Sequence, residues 1–295
     1  MSGQLERTVF ATPRAAEFLE PRALQAQTGQ LRERFGDVIV KELLDNALDA
    51  AESAGVAPEV EISWKVTGDI QRITVADNGP GLRAEVIGRI LDFGVLVSDK
   101  SAYRSPTRGL QGNAWKTIAG IPCALGLTEP LIVEALGVRH EIAVSIDPGG
   151  NVVVRHEQAP CARTTGSAVT VPLPIDQTVD IGDWAARFAC FNPHAAVIHP
   201  AESGDPDTAV SYKPTVPDGW HKPLPADPTS AHWYDTAALT RLVFAYIGNA
   251  RNGGRDFPLG EFIRSFAGLS STVKAKAVKA AVPGIETLAG FCVAD

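Results

Sequence analysis

The chain has 295 residues, of which 45% are hydrophobic and 21% charged, with a formal net charge of −7. That composition is globular, and the length accommodates one large or two modest domains. The net acidity excludes a surface uniformly coated with positive charge, the absence of any apolar run of about 18 residues excludes a membrane helix, and no secretory leader is recognisable at the N-terminus.

The four cysteines, Cys123, Cys161, Cys190 and Cys292, lie far apart without a C-x-x-C pair. This argues against structural zinc and fits a reduced, cytoplasmic setting. The charge is uneven. From Arg241 to Lys279 there are seven basic residues and two acids, so this segment carries +5 and the remainder −12.

After about 20 irregular or partly helical residues, Val38–Ala54 has helical periodicity, with Ile39, Leu43, Ala47 and Ala51 on one stripe. Gly55 and Pro58 end it. Glu59–Val66 alternates apolar (Val60, Ile62, Trp64, Val66) with polar residues and predicts a half-buried strand. A second strand, Ile70–Ala76, runs into the turn Asp77-Asn78-Gly79-Pro80-Gly81. Arg83–Phe93 predicts a short helix, residues 94–112 a mobile loop, and Asn113–Ala119 the start of another helix. Four strand-like runs follow as a meander: Leu131–Leu136, Arg139–Ile146, Asn151–His156 and Ser167–Leu173.

Val179–Phe191 predicts a further helix. The stretch Pro193–Pro228, rich in Pro, Asp and Gly, marks a boundary. Helices are then expected at Thr236–Tyr246, Leu259–Phe266 and Thr272–Ala281, with no convincing strand. The expected organisation is a nucleotide-binding domain over residues 1–200, a linker over 201–235 and a helical domain over 236–295. The order of elements suits a mixed sheet covered on one face by helices, an α+β class.

Three elements carry candidate chemistry. Glu42, Asn46 and Asp49 are spaced by four and three residues and share one helix stripe. Carboxylate and amide oxygens are hard ligands suited to Mg²⁺, and a carboxylate can accept a proton from water. Alone, the stripe equally describes a solvated helix face. The Asp77 turn closes a strand, where a carboxylate can accept from an exocyclic amine and glycines allow close approach of a flat ligand. By itself it is an ordinary turn. Arg108-Gly109-Leu110-Gln111-Gly112-Asn113 precedes a helix start, a place where backbone N–H groups and the helix dipole favour phosphate. Its spacing is not that of a Walker loop, and alone it would pass for a surface loop.

Taken in this order, the three elements resemble the GHKL ATPases, the Bergerat-fold superfamily of gyrase, heat-shock chaperone, histidine kinase and mismatch-repair ATPases. Lys41–Ala51 resembles the N box, Ala76–Leu82 the first glycine box, and Arg108–Lys116 the second; Thr164-Thr165-Gly166-Ser167 is a looser match to the third. The resemblance covers roughly residues 15–200. It implies that Glu42 is the general base, Asn46 the Mg²⁺ ligand and Asp77 the acceptor for the adenine amine, with Gly79 and Gly81 shaping the pocket. The amides of Gly109, Leu110, Gln111, Gly112 and Asn113 would bind phosphate, and Lys116 belongs to the same ATP-binding set. Residues 94–112 would be the ATP lid. Thr165 would add a hydrogen bond near adenine. Asp49 either orients its neighbours or pairs with a base on the surface, the latter being slightly preferred.

Within the superfamily, KELLDNALDAA, RGLQGNAWK and Asn192-Pro193-His194-Ala195 are most similar to the B subunit of the type IIB enzyme topoisomerase VI. Phe257–Gly284 diffusely resembles the second half of its helix-two-turns-helix module. The resemblance implies an ATP hydrolase that dimerises on ATP binding, acts on DNA and works with a cleavage (A) subunit. The transducer domain of that group, whose lysine reaches the γ-phosphate, has no counterpart before Asp295, so slow turnover without dimerisation or a partner is expected. Arg264, Lys274, Lys276 and Lys279 are candidate DNA-phosphate contacts; the other reading is a solvated helix face. The alternative function is a non-topoisomerase GHKL switch that regulates a protein partner in stress, defence or chromosome maintenance. A histidine kinase is disfavoured, because the roughly 40 residues before the N box hold no phosphoacceptor helix pair. His140, His156 and His194 lack metal-ligand spacing and are read as structural. His232-Trp233-Tyr234 is read as a packing anchor at the domain junction.

Overall fold

The computed structural model describes residues 14–93, 113–200, 209–216 and 228–292. They fall into two compact units, one ending within residues 209–216 and the other beginning near residue 228.

The first unit is built on α2 (Phe35–Ala54), preceded by a 3₁₀ turn (Arg14–Leu19) and α1 (Pro21–Thr28). The predicted stripe is buried: Ile39 and Ala51 are inaccessible, and Leu43 and Ala47 nearly so. Each large side chain of such a stripe contributes about 1.5–3 kcal/mol by leaving water. The helix begins three residues before the expected start. There the Gly36 N–H donates to the buried Gln177 side chain, and Asp37 accepts from the Trp184 indole at 2.7 Å. Gly55, at φ 69°, ends it in the left-handed conformation.

Eight strands form one mixed sheet: β1 (Glu59–Thr67), β2 (Ile70–Asp77), β3 (Leu131–Ala135), β4 (Val138–Ile146), β5 (Val152–Pro160), β6 (Ser167–Pro174), β7 (Ala196–His199) and β8 (Val210–Tyr212). Their spatial order is β5-β4-β3-β6-β2-β1-β7-β8, with β1–β7 the parallel pair. Between strands lie α3 (Ala84–Ile90), α4 (Ala114–Ala124) and α5 (Ile181–Phe191). Val60, Ile62, Ile73, Val75, Val133, Ile142 and Val171 on one sheet face share a core with Leu44 and Leu48 of α2 and Ile118 and Ile121 of α4. The opposite face is polar: the Thr74 and Thr170 hydroxyls meet at 2.8 Å, and Arg139 pairs with Glu134 and Glu141.

Two expectations are corrected. The fourth run of the meander does not extend it, because β6 crosses back to lie between β3 and β2. Residues 193–228 are not a plain boundary, because β7 and β8 within them continue the sheet. The periodicity of β1 also fades at its far end, where Val66 is exposed.

The second unit is helical, with α6 (Thr236–Arg251), α7 (Leu259–Arg264) and α8 (Thr272–Ala280). Asp235 and Ser271 cap α6 and α8 by accepting from backbone N–H groups. Leu242, Ile247, Leu259, Phe262, Phe266 and Leu288 form its core, lined by edge-to-face contacts of Phe266 with Tyr234 and of Phe262 with Tyr246. Tyr234 is therefore a packing residue of this unit, whereas Trp233 is exposed. Among the described residues no helix is long and apolar enough to cross a membrane.

Candidate functional site

Helix α2 presents its polar stripe beside the buried one. Glu42 is half-buried, and its Oε1 accepts from Lys41 Nζ at 2.8 Å; the same ammonium reaches Asp45 at 3.2 Å. Burial pulls the Lys41 pKa down, but the hydrogen bond and charge of Glu42, followed by Asp45, outweigh it and leave the pKa raised. One helical turn beyond Glu42, the Nδ2 of Asn46 is fully enclosed and has no hydrogen-bond partner among the described residues. Asp49, read either as orienting its neighbours or as pairing with a base on the surface, is half-buried with Oδ1 enclosed.

Asp77 ends β2 on the same sheet face as Ile73 and Val75. Its Oδ1 accepts from Gly79 N at 2.8 Å and Ser167 N at 3.2 Å. Burial raises the Asp77 pKa, opposed by those two N–H groups and by the nearby Arg163 charge. Asn78, next in the chain, clamps the loop after α2 by accepting from Glu59 N at 3.0 Å and donating to Ala57 O at 2.8 Å.

The glycines have distinct physical reasons. A Cβ on Gly79 would lie 2.9 Å from both Ala50 of α2 and Asp77 Oδ1, so this glycine lets the turn rest on the helix. Gly81 sits at φ 82°, against the side chain of Leu136. Gly166, at φ 62°, lies so close to the turn that a Cβ would fall 1.8 Å from the Asp77 carbonyl oxygen, and its N–H donates to Gly79 O at 3.1 Å. The Ser167 hydroxyl then accepts from Leu82 N at 3.1 Å. Gly166 and the first residue of β6 thus fasten the Asp77 turn, whose Gly79 rests on α2.

Gly109, Leu110, Gln111 and Gly112, with the candidate lid at 94–112, lie outside the described residues. Asn113 directly precedes α4. Its Oδ1 is enclosed and, like Asn46 Nδ2, has no partner among the described residues. Lys116, in the first turn of α4, is buried with Nζ 5.8 Å from the centre of the Phe18 ring. Burial lowers its pKa against the attraction of Asp92. Thr165 is exposed and lines an open depression with Glu134, Ala162, Arg163 and Thr164; the contacts to the Asp77 turn come from Gly166 and Ser167.

These residues fit a polar, phosphorylated ligand with a hard cation. A buried polar atom without a partner costs about 1–3 kcal/mol, and Asn46 and Asn113 each hold one beside the predicted ligand-binding segments. Carboxylate and amide oxygens are the donor set Mg²⁺ prefers when phosphate and water complete its shell. Sequence reasoning missed Asn78, Arg163, Gly166 and Ser167 as supports of Asp77. The signal available for the last two was the short Thr-Gly-Ser run before a strand.

The basic residues of the second unit are partly engaged internally. Arg255 makes a two-pronged pair with Glu261, Lys279 reaches Glu286 at 2.6 Å, and Lys274 donates to Gly268 O. Arg264 and Lys276 are exposed. In the first unit, His140 and His156 meet at 2.8 Å between β4 and β5, and His194 pairs with the buried Glu52 at 2.8 Å.

Residues 33–119 match the protein family described as histidine kinase-, DNA gyrase B-, and HSP90-like ATPase. The B subunit of type 2 DNA topoisomerase 6 from Natronomonas pharaonis is 30% identical over 167 residues, covering 54% of this chain and 21% of that protein. The corresponding protein of Thermococcus onnurineus is 25% identical over 261 residues, covering 84% and 44%, and that of Saccharolobus shibatae 25% over 257 residues, covering 82% and 46%. The chain spans less than half the length of these relatives.

Proposed function

From the premise that this chain belongs, through a Bergerat-fold domain, to the gyrase B, HSP90 and histidine kinase ATPases and is similar to topoisomerase 6 B subunits, we propose that it binds and hydrolyses ATP with Mg²⁺ and couples ATP-driven dimerisation to DNA. The observation that carries this reading is the locked Asp77 turn resting on the helix that bears Glu42 and Asn46.

In this reading Asp77 Oδ2 accepts from the adenine amine, because Oδ1 is already occupied by two backbone donors. Asn46 supplies an oxygen to the cation, and the backbone ahead of α4 holds phosphate. Bound Mg²⁺ would neutralise phosphate charge as it shifts towards the leaving group. Glu42, one oxygen held by Lys41, uses the other to orient the attacking water and take its proton. A cleavage (A) subunit, on the pattern of the relatives, would be the partner.

Full-chain ATPase assays with and without duplex DNA at low salt test the proposal, with sedimentation in a non-hydrolysable ATP analogue as the second measurement. DNA-stimulated turnover and nucleotide-dependent dimers are expected. ATPase activity unmoved by DNA supports the second reading, a switch that regulates a protein partner. The internal engagement of Arg255, Lys274 and Lys279 favours that reading, since it leaves a thinner cationic face than the sequence promises.

The Asp77 pKa adds a prediction. A carboxyl whose folded pKa is raised binds more protons folded than unfolded. The ligand-free fold therefore loses stability as pH rises from the ordinary carboxylate range through the raised value. An amine donor on Oδ2 favours the ionised form. ATP affinity should thus climb as pH rises through that window and level off above it, with proton release on binding below. Calorimetric titrations in buffers of different ionisation enthalpy measure this release, and zero release throughout the window would refute the Asp77 assignment.

A further inference from the structure

The two edges of the sheet differ. β8 has three residues. β5 has nine, pairs with β4 alone among the described residues, and keeps an unbroken register from Val152↔Ile146 to Pro160↔Val138. A long regular edge invites a further strand, which is why sheets usually shorten, bulge or cover their edges. At the two ends of the β4–β5 ladder, Asp147 N donates to Asn151 O and Cys161 N to Gly137 O. The bonded positions of β5 are therefore the odd-numbered ones. Strand alternation turns the N–H and C=O groups of Val152, Val154, His156 and Gln158 away from β4.

On the polar face of the sheet, Arg155 and Glu157 are each 67% exposed and approach one another along the strand only to 3.6 Å. Across the ladder Glu157 faces a carboxylate, Glu141, rather than a cation, an unfavourable opposition. Glu141 itself holds Arg139 at 2.9 Å. Because Arg155 and Glu157 flank His156, a second β5 laid antiparallel about a twofold axis at His156 sets Arg155 of each copy opposite Glu157 of the other. The same register brings the outward backbone groups together, Val154 opposite Gln158 and His156 opposite itself. Moving the axis by one residue sets Arg155 or Glu157 opposite itself, like charge against like. Pro160, which has no N–H to give, falls opposite Val152 at the end of the pairing.

We propose that β5 is a homodimerisation edge, where two copies of this chain pair antiparallel about His156 and continue one sheet through both, with the Arg155–Glu157 pairs fixing the register. A second copy suits this edge better than a foreign strand because the charge pattern is complementary to itself, as a twofold interface requires. The contact needs no nucleotide, so it is separate from the ATP-driven dimerisation proposed above and stands without it.

The test is sedimentation equilibrium of the full chain without nucleotide, with melting curves taken on dilute protein. The wild type should dimerise with a dissociation constant of roughly 10–100 µM, as suits a small interface. Arg155→Glu or Glu157→Arg alone sets like charges opposite each other at two symmetric places and should weaken the dimer about tenfold or more. The two substitutions in one chain restore complementarity and should return the constant to within about threefold of wild type. An equal mixture of the two single variants, acidic edge against basic, should form heterodimers. Melting should not move, since both side chains stand outside the core. A wild type that stays monomeric up to about 1 mM, a dimer indifferent to the single reversals, or folded variants that recover neither in one chain nor in a mixture overturns the inference.

Discussion

Replacing Glu42 with Gln is expected to lower ATP turnover by about 100-fold or more, with ATP affinity held within about threefold. The side chain keeps its shape but loses its negative charge, and with it the capacity to accept a proton and the ion pair with Lys41. Its environment explains why the effect should be confined to chemistry. Glu42 is half-buried on α2, one turn from Asn46, and its structural partner is the neighbouring Lys41. The residue proposed to meet adenine, Asp77, is held by Gly79 and Ser167, which Gln would leave untouched. The raised Lys41 pKa keeps that ammonium charged at neutral pH, so Glu42 sits beside a fixed cation. Single-turnover hydrolysis and fluorescent-nucleotide titration measure the two quantities separately. Turnover within about tenfold of wild type would remove Glu42 from the role.

Gly166→Ala should be the most damaging single-methyl change at the site. Its Cβ would fall 1.8 Å from the Asp77 carbonyl oxygen, at a φ of 62° that already disfavours a side chain. Backbone on both sides of the contact must move, at an expected cost of about 3 kcal/mol. For a unit of this size that lowers the melting temperature by roughly 6–12 °C, and ATP affinity should fall with the displacement of Asp77. Gly55→Ala is the control: φ is a similar 69° but nothing lies within 4 Å of the added carbon, so it should cost only about 1 kcal/mol. Equal melting temperatures for the two variants would show that the Gly166 contact is not rigid.

The contrast between these glycines indicates what the sequence could convey. Helix α2 and strands β1 and β2 were legible because their signals are local: period 3.6 in Ile39–Ala51, period 2 in Val60–Trp64, and a glycine turn at the end of β2. The polar stripe of Glu42 and Asn46 on α2 was legible for the same reason. Strands β7 and β8 were not, because they have four and three residues and draw their order from pairing, β7 with β1 and β8 with β7. The return of β6 between β3 and β2 is likewise a tertiary fact with no periodic trace. Gly79, expected to shape the pocket, also lies against Asp77 Oδ1 and against Ala50, the latter a contact across the fold that no spacing rule foretells. Ser167 supports Asp77 across 90 residues of chain, a separation no spacing rule spans. His140 and His156, read as structural from their lack of ligand spacing, meet only because adjacent strands carry them.

The path of β6 also bears on when the site comes into being. During synthesis the N-box helix and the Asp77 turn emerge early, whereas the strand that fixes the Asp77 carboxylate follows about 90 residues later and must insert between two strands already made. Closing so long a loop is slow compared with forming a helix or a hairpin. The orientation of Asp77 is thus a late, non-local property of the chain, and a nascent fragment ending before Ser167 would hold three of the four sequence boxes complete and still lack an oriented Asp77.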